Sequence, residues 1–445
     1  MEQEKVIPKR ILNQLLSALS AGVVPRTGAP YIAIGRNEEI EALLKNMETV
    51  ADGGAFVRFL IGRYGSGKSF LIQLLRGSAM ERGFLCADAD LSTDQRRLCG
   101  GNGAGLATYR ELLRNLASKA SPDGGALPLV LSRHYATILS HLAEEGVLPE
   151  SPTFSDRLQK EVFTTFSALE NSVGGFDFAR VISAYFLAMA DENEERKSAC
   201  LKWLRGEFAS KTEAKAELGF RVSGVVDDEN WYDYIKLWAV FARHIGYAGL
   251  IVYIDECIIL YKIVNRVARE NNYEKILTIF NDTLQGRAEG LGVIFGGTPQ
   301  FLEDTRRGLF SYEALRSRLS DSRFADAGYT TLMSPVIRLR RLSDNELFAL
   351  LSRLSRLHAM QRGGAELTTE EERREFLSFT LERAGASEML TPREMIRDFM
   401  TLLNILSENP DARFASLLNA KRERGTEDST PKTADPLLDL SDFDF

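Results

Sequence analysis

The sequence predicts an α/β fold: a sheet wound with helices on both faces in three layers, interrupted by a large helical insertion and followed by a helical C-terminal domain. Three observations lead there. An apolar run is followed by a glycine-rich turn carrying lysine and serine, and then by apolar residues at helical spacing. A second apolar run, far along the chain, stops at an aspartate–glutamate pair. Between them lies a long stretch of helix-period stripes.

Composition bounds the reading. A chain of 445 residues has room for two or three domains and an ample core. Hydrophobic residues make up 44% and charged residues 26%, as in an ordinary globular protein. No apolar run reaches the ~18–20 residues that span a bilayer. The N-terminus, MEQEKVIPKR, lacks the apolar stretch of a secretory signal, so a cytoplasmic location is expected. Cys86, Cys99, Cys200 and Cys257 form no CxxC pair and are expected to be free structural thiols. His134 and His141 could share a helix face, but no cysteine or carboxylate partner is evident in the sequence, so no zinc site is expected. The formal net charge of −7 argues against a globally basic nucleic-acid binder and leaves room for a local basic face.

The first element is AFVRFLI (residues 55–61), a buried strand bounded by Gly53 and Gly54. The turn Gly62-Arg63-Tyr64-Gly65-Ser66-Gly67-Lys68-Ser69 follows and matches G-x-x-x-x-G-K-[ST] in the strand–loop–helix context that the motif requires. Its glycines let successive N–H groups curl around a phosphate without Cβ clashes. The N-terminus of the next helix, which carries Phe70, adds a positive dipole end. Lys68 can reach the β- and γ-phosphates, and the Ser69 hydroxyl can ligate Mg²⁺. Residues 83–91 read as a second strand, ending in Asp88 and Asp90.

A phosphate loop needs a metal-holding acid on a neighbouring strand. GLIVYIDECIIL (residues 249–260) supplies one: a continuous apolar run ending at Asp255-Glu256. Asp255 would hold Mg²⁺ through water, and Glu256 would orient and polarise the attacking water. A further strand, LGVIFGGTPQF, ends near Thr298, whose side chain could meet the γ-phosphate or that water. Together these imply ATP and Mg²⁺ as cofactors and hydrolysis rather than mere binding.

Three more segments carry a family likeness: LNQLLSALSAGVVPRTGAPYIAIGRNEEIEAL, RRGLFSYEALRSRL and LTPREMIRDFM. With the loop and the acidic pair, they make the chain resemble AAA+-type P-loop ATPases of the origin-recognition and STAND-like branch. More closely, it resembles the BrxD-like ATP-binding proteins of BREX phage-defence systems, over nearly its whole length. The resemblance implies that Ile34, Gly35 and Arg36 lie beside the adenine, with Val24 and Pro25 leading in. It implies that Arg316 or Arg318 reaches into a neighbouring subunit's site, and that Arg393 touches the γ-phosphate from a lid. An arginine suits all three places, because its planar fork binds phosphate oxygens and stays charged. The resemblance further implies an antiphage assembly, other defence proteins such as a helicase as partners, a DNA-linked setting, and a homo-oligomer formed with ATP.

One feature departs from a compact AAA+ core: Ser69 and Asp255 are 186 positions apart. Gly100, Gly101, Gly103 and Gly105 look like another phosphate loop but lack the lysine, so they read as a loop leading into a helix. Residues 108–248 then read as a mainly helical insertion, with Trp203, Trp231 and Trp238 in its core. The ATPase core is accordingly expected over residues 1–107 and 249–334, and a helical lid over 335–419. Ser343 is expected to cap a lid helix, with Asp344 and Glu346 in its first turn. The lid has no basic stripe, and little chain follows it for a winged-helix domain. Residues 420–445 read as a disordered acidic tail whose alternation of acids with Leu and Phe suits docking in a partner's groove. Two further functions fit the same residues: a slow nucleotide-gated assembly switch or scaffold, and a DNA-loading ATPase similar to origin-recognition proteins.

Overall fold

The computed structural model describes residues 7–165, 173–321, 331–383 and 391–419. The acidic tail expected over 420–445 therefore lies outside the described residues, as does Leu390 at the head of LTPREMIRDFM. The chain divides into two units, residues 1–35 with 342–445, and residues 36–341. Helix α1 (Lys9–Ser20) opens the first.

The second unit holds α2 (Asn37–Ala51), β1 (Phe56–Ile61), α3 (Lys68–Glu81), β2 (Leu85–Asp90) and α4 (Ala104–Arg114). Six helices follow: α5 (Leu127–Glu144), α6 (Phe154–Thr165), α7 (Gly175–Ala190), α8 (Glu194–Leu204), α9 (Lys211–Leu218) and α10 (Trp231–His244). The chain then returns through β3 (Leu250–Asp255), α11 (Ile258–Lys262), α12 (Arg266–Leu284), β4 (Leu291–Gly297), α13 (Pro299–Glu303), α14 (Glu313–Leu319) and β5 (Val336–Arg338).

The five strands form one sheet in the order β2-β3-β4-β1-β5, parallel throughout. Every residue of β1, β3 and β4 is buried, so both faces of the central sheet are covered, as parallel strands require. This also explains why the strands read as continuous apolar runs instead of alternating ones. Arg58 is the exception inside β1. Its Nε donates to Asn46 Oδ1 at 2.6 Å, and its Nη1 donates to the carbonyls of Met333 and Ser334 at 3.1 and 2.9 Å, which ties down the segment leading into β5.

Two features differ from the sequence expectation. Residues 336–338, read as the start of a helical domain, form the edge strand β5 beside β1. Three residues carry too little period to signal a strand. The insertion is helical as expected, but its core is continuous with that of the sheet: Trp203, Trp231, Trp238 and Tyr109 belong to the same buried cluster as Val57, Ile254 and Phe295. Trp238 Nε1 donates to Tyr109 Oη at 3.0 Å and Trp231 Nε1 to the Leu98 carbonyl at 2.9 Å, so both indoles are satisfied structural groups.

The first unit is completed by α15 (Asp344–Arg362), α16 (Glu370–Arg383) and α17 (Pro392–Glu408). Capping boxes at Ser343/Glu346 and Thr391/Glu394 start α15 and α17. Helix α1 packs with α15 and α17, so the first 35 residues belong with the C-terminal helices. Among the described residues, no helix is long and apolar enough to cross a membrane.

Candidate functional site

β1 delivers the chain into the glycine-rich turn, and α3 carries it away. Gly62 is buried, and a Cβ there would lie 2.3 Å from Ser66 Oγ, so the turn closes only around glycine. Gly65 and Gly67 have φ of 74° and 91°, in the left-handed region that glycine adopts freely. Gly67 is the N-cap of α3 and no side chain caps that helix end. Among the described residues, no protein acceptor takes the N–H of Gly65 or Gly67. Ser66 Oγ is likewise buried without a partner. The turn thus presents unspent donors at the positive end of a helix, which is what a phosphate group needs. Lys68 Nζ folds over the same turn, donating to the carbonyls of Gly62 at 2.9 Å and Arg63 at 3.1 Å. Arg63 and Tyr64 are exposed at its tip, and Phe70 is half-buried in the first turn of α3.

The strand order brings the acidic pair to this turn. Ser69 Oγ donates to Asp255 Oδ2 at 2.7 Å, across 186 positions of chain. Asp255 Oδ1 accepts from the Glu256 N–H at 2.8 Å. A Cβ at Gly296 would lie 2.2 Å from that Oδ1, so β4 needs glycine where it passes the carboxylate. Glu256 has φ of 57°, a left-handed conformation that is uncommon outside glycine and that costs on the order of 1–3 kcal/mol. Its carboxylate has no hydrogen bond or salt bridge to a described residue. Asp90 ends β2 in register with Asp255. Partial burial, then the nearby charges of Asp255, Asp88 and Glu256, push its carboxyl up to about 6, against the pull of Arg96. So much acid at one strand end, beside a serine hydroxyl, is the hard-oxygen setting that Mg²⁺ takes.

The other expected residues divide. Arg36 is buried: it pairs with Glu39 at 3.1 Å and donates to the Ser66 carbonyl at 3.1 Å and the Arg340 carbonyl at 2.6 Å. It braces the phosphate loop from behind, a task its sequence neighbourhood does not reveal. Ile34 and Gly35 belong to the other unit, where a Cβ on Gly35 (φ 73°) would collide with Glu346. Thr298 follows β4, which runs between β1 and β3, and its Oγ1 accepts from the Phe301 N–H at 3.4 Å as the cap of α13. Arg316 and Arg318 are exposed on α14; Arg318 donates to the Ala314 carbonyl at 2.6 Å. No hydrogen bond or salt bridge joins either to the loop. Arg393 is exposed in the first turn of α17, in the other unit. Of the two histidines, His134 is buried between Phe186 and Phe241, and burial lowers its pKa to about 4. His141 does find carboxylates that the sequence did not pair with it, Glu161 at 3.5 Å and nearby Glu145, the latter already paired with Arg157.

The comparison with family models gives the context. The model described as BREX system ATP-binding protein BrxC/D matches residues 7–422. The chain belongs to that family. The match covers both units and gives the glycine-rich turn its setting: an ATP-binding protein of BREX defence. No curated protein matches the chain.

Proposed function

We propose that this BREX-family protein is a Mg²⁺-dependent AAA+-like ATPase, with ATP held by residues 62–70 and hydrolysed at the end of β3. In this reading Lys68 binds the β- and γ-phosphates, Ser69 and Asp255 hold the metal, and Glu256 activates water. The observation that carries it is the 2.7 Å contact between Ser69 and Asp255, with the unpartnered Glu256 carboxylate as the next residue. Bound Mg²⁺ would supply charge neutralisation at the phosphates. The residues' own part is to position: Gly65, Gly67 and the N-terminus of α3 fix the phosphates, and Arg36 keeps the loop in shape through the Ser66 carbonyl. Thr298 stands at the end of the strand between loop and acid pair, suited to report the γ-phosphate.

Arg316 and Arg318, exposed and unlinked to their own loop, favour a site completed by a second copy of the chain. An isolated chain would then turn over slowly, and ATP-driven assembly would switch it on. The cycle would drive conformational change in a BREX assembly linked to DNA, with other defence proteins as partners.

The test is steady-state ATP hydrolysis by Glu256→Gln and Arg316→Ala proteins, alone and mixed. Each alone is expected to lose ~10²-fold or more in rate while retaining ATP affinity. After demonstrated subunit exchange the mixture should recover part of the activity, because one interface pairs an intact glutamate with an intact arginine. Near-wild-type hydrolysis by folded Glu256→Gln protein rejects the assignment of the base.

A further inference from the structure

A cavity of about 570 Å³ lies between the loop after β2, helix α4 and the C-terminal end of α8. That volume is within the ~300–1,000 Å³ of small-molecule sites. Its charged lining is Arg96, Arg110, Arg114 and Arg205 against Glu111 and Glu207, a surplus of positive charge in a chain whose net charge is −7.

The two glutamates do not use up the four arginines. Glu111 is spent within the wall: Arg114 binds its Oε1 at 2.5 Å, Asn115 donates to it at 3.1 Å, and Arg96 stands 3.9 Å away. Arg110 and Arg205 have no carboxylate within salt-bridge distance among the described residues. Like charges gathered around one cavity repel unless an anion sits between them.

Two of the guanidinium groups are also held in place. Arg110 Nε donates to the Gly206 carbonyl at 2.7 Å, and Arg96 Nε donates to the Asp90 carbonyl at 2.8 Å. Gly206 itself has φ of 69°, and a Cβ there would crowd Leu106 at 3.0 Å and Tyr109 at 3.2 Å, so the turn bearing that carbonyl favours glycine. Anchoring through Nε leaves the terminal Nη pair of Arg110 for an incoming oxyanion, at low entropic loss. Leu113 and Leu127 are themselves buried and only back the cavity.

We propose that this cavity is a second ligand site, taking a small phosphorylated ligand of mononucleotide size. The phosphate sits on Arg110 and Arg205, with Arg96 and Arg114 at the rim. Arg96 links it to the first site, since the carbonyl that Arg96 holds belongs to Asp90, the residue in register with Asp255.

The test measures binding, not turnover, so it is separate from any claim about hydrolysis. Lys68→Ala protein, with its phosphate loop disabled, is titrated with AMP and with pyrophosphate by calorimetry. Saturable binding near one site per chain is expected, weakened about tenfold by either Arg110→Ala or Arg205→Ala added to that background. Arg114→Gln removes charge at a side chain that is 72% exposed, keeps a group that can still donate to Glu111, and should weaken the same binding. No saturable binding by folded Lys68→Ala protein, or binding indifferent to all three arginine variants, overturns the site. A 5′-phosphorylated hexanucleotide distinguishes the source of phosphate: if it outcompetes AMP by more than about tenfold, the cavity serves a nucleic-acid end and the small-ligand assignment fails.

Discussion

Two glycine-rich turns in this chain start a helix in the same way and end differently. The turn at residues 62–67 leads into α3 from Gly67 (φ 91°), and the turn at residues 100–103 leads into α4 from Gly103 (φ 84°). Neither N-cap has a side chain to cap its helix. In the second turn the protein supplies its own anion. Asp228 accepts from the N–H groups of Gly103 and Leu106, both at 2.8 Å. Asn272 Oδ1 takes the N–H groups of Leu98 and Cys99 at 2.9 Å each. In the first turn the matching donors are left unspent, and Lys68 is folded over them. The backbone device is shared; what separates a structural turn from a binding turn is whether the fold has already filled it.

The comparison breaks most visibly at Lys68. Lys68→Ala should weaken ATP binding by ~10²-fold or more, since it removes the charge-assisted contacts to the phosphates. Calorimetry reads the affinity, and a melting curve close to wild type shows that the fold is intact. Unchanged affinity would remove the phosphate-loop assignment.

Asp228→Ala should do the reverse. It leaves two donors and the N-terminus of α4 without an acceptor, a loss of about 2 kcal/mol of stability. The melting midpoint should fall by several degrees while ATP affinity per folded chain stays put. A loss of affinity equal to that of Lys68→Ala would mean the two turns are not separate devices.

Gly67→Ala and Gly103→Ala sharpen the contrast with matched substitutions. Both positions have positive φ and open space where the Cβ would go. Each should lose about 1 kcal/mol of stability from backbone strain alone. Only Gly67→Ala should also weaken ATP binding, because in the proposed reading only that turn takes the phosphates against its backbone.

The smallest effect is expected at Asp90. Its carboxyl is raised to about 6 in the folded chain, from an ordinary value near 3.8. A raised folded-state value means that the associated stability is complete below pH ~4 and is lost as pH rises toward 6. Solvent still reaches the partly buried Asp90 side chain, so screening reduces the difference to under about 1 kcal/mol. In Mg²⁺-free buffer, Asp90→Asn should therefore melt higher than wild type at pH 7.5 and lose that advantage below pH 4. A pH-independent difference would show that neither burial nor the neighbouring carboxylates raise its carboxyl.

Much of the candidate site was legible because it is written locally. Residues 62–69 are contiguous, and strand, turn and helix follow within a few positions. Asp255 was legible because a strand buried on both faces is an unbroken apolar run, and its last polar residue marks the end. The lysine missing from residues 100–105 was equally plain in the sequence.

What tertiary structure alone decided rests on contacts between distant positions. Strand order sets β4 between β1 and β3, and it takes Gly296 beside Asp255 to let that packing close. A three-residue edge strand has no period to read, and only pairing with β1 makes β5 a strand. Arg36 reads as part of a nucleotide-side signature, yet its guanidinium is spent on Glu39, the Ser66 carbonyl and the Arg340 carbonyl, the last 304 positions away. Asp228 fills the second turn from 125 positions off, and nothing near residues 100–105 announces it. Local spelling determines which backbone shapes are possible; long-range packing determines which of their hydrogen-bonding groups are already taken, and that decides where a ligand can bind.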